Sequence, residues 1–301
     1  ALAKEVDKLV RAQAWSMQAV PHHSVRNLKG ATFSRLFYLL GQKGAETDNP
    51  TIKARIVVQG NRMSDGHGEA TFFEDVSSSP TSMSAVRAVL SYGLMTSGGG
   101  SDEGSSTADA EAAFVQSEMP AGLLVYVRIP RELWTPTMIT QSQHVADPVF
   151  KLLRPLYGMT CSGRLWTEHL DRIVKSLGWL EMPEWPQTYY RPRATGTQLM
   201  TIYVDEIVIS GPQHGTAWDE LRKLVRTTPP ESVRRCIGVE NHLTPPAEGR
   251  DAHIAYEMQQ YAVSAVDSFL EQGGRVRRAE SPWLAAPPGA YADEKWTSPG
   301  K

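Results

Sequence analysis

Two adjacent carboxylates interrupt a run of strand-forming residues in the second half of the chain. The stretch LMTIYVDEIVISG (199–211) places Asp205 and Glu206 between two short segments of β-branched and bulky apolar side chains. We therefore expect two strands joined by a tight turn at Val204 and Asp205, with the acids at its tip. Val204 suits such a turn poorly, because two-residue hairpin loops require a positive φ that β-branched residues resist. Local strain of this kind is more frequent at functional sites.

Asp109, far upstream in TADAEAAF, is a third candidate acid for the same site. Three clustered carboxylates repel one another unless cations neutralise them, and Mg²⁺ prefers such oxygen ligands. Two metal ions roughly 3.5–4 Å apart stabilise both the attacking and the leaving oxygen of a nucleotidyl transfer. The three acids therefore favour a divalent-metal site over acid–base catalysis. Taken alone, the pair Asp205 and Glu206 is better explained as a strand end that points into water.

The elements that must position these acids mix strands and helices without a regular βαβ alternation, which predicts an α+β fold. Lys53 and Arg55 alternate along the candidate strand TIKARIVVQG, so they share one face and lie about 6.6 Å apart along it. This spacing suits a triphosphate clamp, with arginine as a planar fork and lysine as a point charge.

The sequence predicts two helices near the acids and a polar segment before Asp109. Amphipathic patterns predict helices over 162–179 and 218–228. The segment GSSTA (104–108), immediately before Asp109, is too polar for a buried strand. Because a polar segment forms a buried strand poorly, we expect Asp109 to be loosely held.

Composition limits the classes of protein to which the chain can belong. Its 301 residues are 41% hydrophobic and 21% charged, enough for a sizeable core with two or three subdomains. Neither a run of about eighteen apolar residues nor a signal pattern is present. We therefore expect no membrane insertion and no secretion, but an intracellular, cytoplasmic protein. Cys161 and Cys236 support neither a disulfide framework nor a zinc knuckle, which fits a reducing compartment.

The formal net charge of −2 gives no global electrostatic reason to expect a nucleic-acid partner. Any such binding would come from three local patches: Lys53 with Arg55, Arg234 with Arg235, and GRVRR (274–278). Each patch taken alone is more readily explained as a solvated surface. The sequence lacks a GxGxxG loop after a strand and a complete phosphate-binding loop, which excludes the common nucleotide-binding motifs.

Six motifs stand in a fixed order between residues 53 and 240: KARIVVQG, DAEAAF, VYVRIP, KLLRPLYGMTCSGRLW, IYVDEIVISG and CIGVE. In this order the chain resembles the copia-type retrotransposon reverse transcriptase from about Trp15 to Trp283. The resemblance implies the RNA-directed DNA polymerase region of a Pol polyprotein, with a right-hand fold of fingers, palm and partial thumb. The implied domains are an N-terminal segment and fingers at 1–108, a palm at 109–235 with a finger-like insertion around 130–165, and a primer-grip and thumb or connection fragment with a Pro-rich tail at 236–301.

The resemblance also implies a role for each candidate residue. Asp109 matches the first palm carboxylate, Asp205 the first acid of the family's Tyr-x-Asp-Asp hairpin, and Glu206 its second acid. Together they would hold two Mg²⁺ ions, or Mn²⁺. The implied nucleotide-binding residues are Lys53, Arg55, Phe114, Tyr157 and Gly158, and the implied primer-binding residues are Ile237 and Gly238. The implied partners are an RNA template, a DNA primer, deoxynucleoside triphosphates and other parts of the polyprotein.

Phe114 stands five residues after Asp109, where the family places an aromatic ring beneath the incoming sugar. A flat ring there would crowd a 2′-hydroxyl and select deoxynucleotides. Without the resemblance, a core phenylalanine on a helix explains the residue equally well.

Two departures from the family's pattern bear on activity. Glu206 replaces the second Asp, and its extra methylene moves the carboxylate by roughly 1.5 Å, which spoils a metal geometry unless this acid is an outer ligand. At 160–164, TCSGR replaces a sequence of the Lys-Gln-Ala-Pro-Arg type, so Arg164 alone remains as a cation there. The alternatives are a catalytically impaired protein of the same fold that binds nucleic acid without polymerising, and a two-metal nuclease, which would need no sugar-selecting ring.

Overall fold

The structure, a computed structural model, describes residues 1–43, 51–71, 79–97, 104–246, 248 and 251–275. Its mixture of strands and helices confirms the predicted α+β class. The Pro-rich tail and the end of the basic GRVRR segment lie outside the described residues. The chain divides into two compact units, the first ending at Tyr256 and the second beginning at Glu257.

The described residues form seven α-helices, thirteen strands and three 3₁₀ helices. The α-helices are α1 Leu2–Arg11, α2 His22–Val25, α3 Met83–Thr96, α4 Pro136–Ser142, α5 Ser162–Ser176, α6 His214–Leu221 and α7 Gln259–Glu271. The strands are β1 Val20–Pro21, β2 Ala31–Lys43, β3 Thr51–Val58, β4 Ser105–Asp109, β5 Leu124–Arg128, β6 Pro148–Lys151, β7 Leu180–Glu181, β8 Thr188–Arg191, β9 Gln198–Tyr203, β10 Glu206–Ser210, β11 Arg235–Cys236, β12 Val239–Thr244 and β13 His253–Glu257. The 3₁₀ helices are Gly60–Arg62, Ala113–Gln116 and Arg131–Leu133.

The first five-stranded sheet has the strand order β1-β6-β5-β2-β3. Strand β2 pairs antiparallel with β3 and parallel with β5. Along β3 the side chains of Ala54, Ile56 and Val58 are buried, whereas Lys53 and Arg55 alternate with them and are exposed. The predicted strand, and the shared face of Lys53 and Arg55, are therefore confirmed.

The second five-stranded sheet, in the order β4-β10-β9-β8-β7, is antiparallel throughout and carries the acids. Along β10, Ile207 and Ile209 pack in one hydrophobic cluster with Trp166 of α5 and Trp218 of α6. Val208 projects from the opposite face and packs in another cluster with residues of α3. Helices therefore cover both faces of this sheet, which explains the continuous apolar sequence of β10.

Strand β4 forms despite its polar sequence, so the prediction that GSSTA is too polar for a buried strand is wrong. All its residues before Asp109 are buried. Buried hydroxyl groups are tolerated when they are hydrogen-bonded. Three such bonds involve β4: Ser105 Oγ with Ser210 Oγ at 2.7 Å, Thr107 Oγ1 to the Ile207 carbonyl at 3.0 Å, and Trp218 Nε1 to Ser106 Oγ at 2.7 Å.

The helix predicted over 218–228 is wrong in its bounds, because α6 begins earlier and ends at Leu221. The residues that follow run along the outer edge of β4 instead. The Thr107 N–H donates to the Glu231 carbonyl at 2.8 Å, and the Glu231 N–H donates back to the Thr107 carbonyl at 2.9 Å. The pair Pro229-Pro230 lacks backbone N–H groups and cannot continue a helix.

Helix α5 is close to its prediction, but it ends at Ser176 rather than at residue 179. Gly178 follows with a φ of 83°, a left-handed conformation that is typical just after a helix. The chain turns there, and the Trp179 side chain is buried in the same cluster as the apolar residues of β10.

The third sheet has the order β11-β12-β13. Strands β11 and β12 are joined by a two-residue turn at Ile237 and Gly238. Both turn residues have positive φ angles, 48° and 75°, as in a type I′ hairpin turn.

The second compact unit begins at Glu257 and contains α7 among its described residues. None of the α7 side chains is buried. Across the described part of the chain, no helix combines the length and the apolar character that a membrane span requires.

Candidate active site

The tip of the β9–β10 hairpin has the strained backbone that its sequence predicts. Strand β9 ends at Tyr203 and β10 begins at Glu206, so Val204 and Asp205 form a two-residue turn. Val204 has a φ of 58°, which is a genuine outlier for a β-branched residue. The indole N–H of buried Trp166 donates to the Val204 carbonyl at 2.6 Å and fixes the turn against α5.

Asp109 stands directly opposite Glu206 in the β4–β10 ladder. Directly opposed residues of an antiparallel pair have Cβ atoms about 5 Å apart on one face of the sheet. The Ala110 N–H donates to the Asp205 carbonyl at 2.7 Å, and the Asp109 N–H donates to the Thr228 hydroxyl at 3.0 Å. The expectation that Asp109 is loosely held is therefore wrong. Asp109 and Asp205 are both exposed, at the same end of the sheet.

The Glu206 carboxylate is half-buried and faces the β11–β12 turn. Its Oε2 atom accepts a hydrogen bond of 3.1 Å from the Ile237 N–H, and the Cys236 thiol also bonds to it. Burial raises the pKa of Glu206, and the charges of Asp109 and Asp205 raise it further, while the two hydrogen bonds act in the opposite direction. Among the described residues, no arrangement places one oxygen of each of the three carboxylates within 4.8 Å of the other two.

An aromatic pair lies beside the acids. The rings of Phe114 and Tyr157 meet edge to face, with centroids 4.9 Å apart and planes at 63°. The Arg55 guanidinium lies 5.7 Å from the centre of the Tyr157 ring, and Lys53 precedes Arg55 on the same face of β3. Burial raises the pKa of Tyr157, and the negative charge of Asp205 acts in the same direction. Arg55, Tyr157 and Phe114 thus form one line of contacts, and Tyr157 lies close enough to Asp205 for the charge of that acid to affect it.

Gly158 lies where the loop after Tyr157 crosses the end of β3. The Val58 N–H donates to the Tyr157 carbonyl at 2.8 Å. Gly158 has a φ of 89°, and a Cβ atom there would collide with the carbonyl oxygen of Val58. Close packing against β3 therefore requires glycine, whereas the approach of this loop to a base pair stays a prediction.

Of the two predicted primer-binding residues, Ile237 is hydrogen-bonded to the Glu206 carboxylate, and Gly238 follows it in the same turn. Ile237 is half-buried and Gly238 is exposed. Arg164, the cation that follows the LYG motif, forms an ion pair of 2.7 Å with Glu168, one turn along α5. The binding roles of these residues stay predictions, and the structure places the turn at Ile237 and Gly238 next to Glu206.

Three residues that the sequence did not single out also support the site: Trp166, Thr228 and Cys236. Trp166 holds the hairpin tip, Thr228 holds Asp109, and Cys236 contacts Glu206. Each acts on a residue that is distant in the sequence, and no local pattern distinguishes it from an ordinary core or loop residue.

We expect Trp166→Phe to lower the free energy of unfolding by about 1–2 kcal/mol more than Trp179→Phe, because only Trp166 loses a hydrogen bond. Both side chains are buried, and the Trp179 indole nitrogen has no hydrogen-bond partner among the described residues. Urea denaturation of the two variants measures the difference. Equal destabilisation would mean that the bond to Val204 does not stabilise the tip.

Comparisons with known proteins identify the family of the chain. A family model described as "Reverse transcriptase (RNA-dependent DNA polymerase)" matches residues 27–227. A putative transposon Ty5-1 protein of Saccharomyces cerevisiae is 24% identical over 160 residues, which are 52% of this chain and 47% of that protein. The chain therefore spans about half the length of this curated relative. The family match includes Asp109, Phe114, Tyr157 and Asp205 but ends before Ile237.

Proposed function

Because the chain belongs to the reverse transcriptase (RNA-dependent DNA polymerase) family, we propose that it is the RNA-directed DNA polymerase region of a copia-type Pol polyprotein. One observation carries the proposal: the pairing of β4 with β10 brings Asp109 to the hairpin tip that bears Asp205. Two exposed carboxylates from distant segments, beside Tyr157 and Phe114, suit nucleotidyl transfer to a primer 3′-hydroxyl.

The donor atoms of the site fit Mg²⁺. Asp109 and Asp205 supply hard carboxylate oxygens and are open to solvent, and Mg²⁺ is usually held by one or two carboxylates together with substrate phosphates and water. In our proposal Asp109 and Asp205 hold two Mg²⁺ ions, with Mn²⁺ as the alternative occupant. When bound, such ions stabilise the attacking 3′-oxygen and the leaving pyrophosphate.

The proposed nucleotide-binding residues come from β3 and from the segments that carry Phe114 and Tyr157. Lys53 and Arg55 would bind the triphosphate, since both are exposed on one face of β3. Phe114 would lie beneath the sugar and exclude a 2′-hydroxyl, and the loop at Tyr157 and Gly158 would lie along the base pair. The contacts that connect Arg55, Tyr157 and Phe114 support a common site.

The proposed subdomains are those that the family resemblance implies: fingers at 1–108, a palm at 109–235 with an insertion around 130–165, and a primer-grip and thumb or connection fragment at 236–301. Two separate sheets, one with Lys53 and Arg55 and the other with Asp109, support a division into fingers and palm. The sheets do not follow these bounds, because β4 begins before residue 109 and β5 pairs with β2 in the first sheet. The proposed partners are an RNA template, a DNA primer, deoxynucleoside triphosphates and other parts of a Pol polyprotein.

A second function, nucleic-acid binding without polymerisation, is supported by the hairpin tip. Glutamate rather than aspartate follows Asp205, and the Glu206 carboxylate contacts Ile237 instead of lying with the other two acids. A tip altered in this way would still leave exposed basic residues for salt-sensitive binding to phosphates.

Primer extension distinguishes these functions. We expect the chain to extend a labelled DNA primer on an RNA template with Mg²⁺, and to incorporate deoxynucleotides in preference to ribonucleotides. Salt-sensitive binding without extension in either Mg²⁺ or Mn²⁺ would support the binding function instead. Release of labelled nucleotides from the template without primer extension would indicate a nuclease.

A further inference from the structure

Glu206 connects two hairpins that are separate in the sequence. Its side chain projects from the same face of β10 as Val208, which packs in one cluster with Cys236 of β11. Its Oε2 atom accepts the Ile237 N–H at 3.1 Å, and the Cys236 thiol bonds to the same carboxylate. The carboxylate therefore joins the tip of the β9–β10 hairpin to the β11–β12 turn.

The turn that receives this contact is unfavourable by itself. Ile237 has a φ of 48°, whereas type I′ turns favour asparagine or aspartate at this position. Strained residues persist where the surrounding structure holds them in place. Glu206 binds the N–H of the strained residue, so its carboxylate stabilises the turn at the point of strain.

The contact depends on the length of glutamate. An aspartate at position 206 would withdraw the acceptor by roughly 1.5 Å. The distance to the Ile237 N–H would then be about 4.6 Å, beyond hydrogen-bond range. Glutamine has the same length as glutamate, and its amide oxygen also accepts a hydrogen bond.

We propose that Glu206 is a positioning residue rather than a metal ligand: its carboxylate holds the turn at Ile237 and Gly238 against the β9–β10 tip. The β11–β12 turn would then position the primer end, and this part of the proposal rests on the proposed polymerase function. The departure from the family's second aspartate then has a structural reason, because aspartate cannot make this contact.

Two substitutions distinguish a positioning role from a metal-binding role. Glu206→Gln removes the charge and keeps the side-chain length, whereas Glu206→Asp keeps the charge and shortens the side chain. We expect Glu206→Asp to weaken primer–template binding about tenfold, because binding must then order a turn that the hydrogen bond to the carboxylate no longer holds. Glu206→Gln should weaken it no more than about threefold, since a neutral acceptor remains. Fluorescence anisotropy in EDTA measures both Kd values, and a metal ligand would affect neither under that condition.

Primer extension gives the second measurement. We expect the KM for primer–template to rise about tenfold in Glu206→Asp. The Mg²⁺ concentration that gives half the maximal rate should stay at the wild-type value in both variants. A metal-ligand role predicts the opposite order, in which aspartate retains or improves activity while glutamine abolishes it and raises the Mg²⁺ requirement.

That opposite order, or equal Kd values in all three proteins, would overturn the proposal. If thermal unfolding shows that Glu206→Asp does not fold, the Glu206→Gln variant still tests the proposal. Loss of activity in Glu206→Gln with a raised Mg²⁺ requirement would then overturn it. Wild-type protein that binds primer–template but never extends it would refute the proposed function instead. The Kd comparison in EDTA tests the role of Glu206 in either case.

Discussion

Asp205→Asn is expected to slow nucleotide addition by more than about a hundredfold, since even losing a group that only orients a metal ligand costs 10–100-fold. Asparagine has the shape of aspartate without its charge, so the turn at Val204 and Asp205 should persist. The bond from the Ala110 N–H uses the Asp205 carbonyl and not its side chain. Single-turnover addition of one nucleotide measures the rate, and circular dichroism reports whether the fold is retained.

Asp219→Asn is the matched control, because Asp219 is an exposed aspartate on α6. We expect this variant to add nucleotides at the wild-type rate. A wild-type rate in Asp205→Asn would mean that the hairpin tip does not carry the chemistry. Equal losses in the two variants would mean that the effect is not specific to the tip.

Gly158→Ala is expected to lower the free energy of unfolding by about 2–5 kcal/mol, from a left-handed conformation that costs about 1–2 kcal/mol and from overpacking that costs a further 1–3 kcal/mol. The added methyl group would meet the Val58 carbonyl oxygen, a backbone atom that moves only if the end of β3 moves. Because Tyr157 is held on β3 by the Val58 N–H, nucleotide addition should fall as well.

Gly68→Ala is the matched control, because it measures the cost of the left-handed conformation without the cost of overpacking. Gly68 has a φ of 92°, close to that of Gly158, but a Cβ atom there would meet no atom of the described residues within 4 Å. We expect it to cost only about 1–2 kcal/mol in urea denaturation, with no change in nucleotide addition. Equal losses of stability in the two variants would contradict the tight packing of Gly158 against β3.

The strands and the strained tip could be predicted because their signals are local. The β-branched and bulky residues along 199–211 indicated the two strands of the β9–β10 hairpin, and the two-residue turn between them indicated a positive φ that Val204 resists. The shared face of Lys53 and Arg55 follows from the period of a strand. These features depend on neighbouring residues, which a sequence displays directly.

Features that depend on distant partners could not be predicted in the same way. The polar strand β4 is stable because Trp218 and Ser210 satisfy its hydroxyl groups, and neither partner is near it in the sequence. The helix predicted over 218–228 ends early because the chain beyond it pairs with β4. The contact from Glu206 to Ile237 likewise joins two separate hairpins. Only the order of the motifs indicated that Asp109 and Asp205 belong to one site.

Single-nucleotide addition, with both products measured, tests the central claim most directly. A labelled DNA primer is annealed to an RNA template and given one complementary deoxynucleoside triphosphate with Mg²⁺. The wild-type chain is expected to add one nucleotide and release one pyrophosphate, whereas Asp109→Asn and Asp205→Asn bind the same primer–template and add none. Undiminished addition by either variant, or no addition in Mg²⁺ or Mn²⁺ by wild-type protein that binds the primer–template, would contradict a polymerase site built on these two acids.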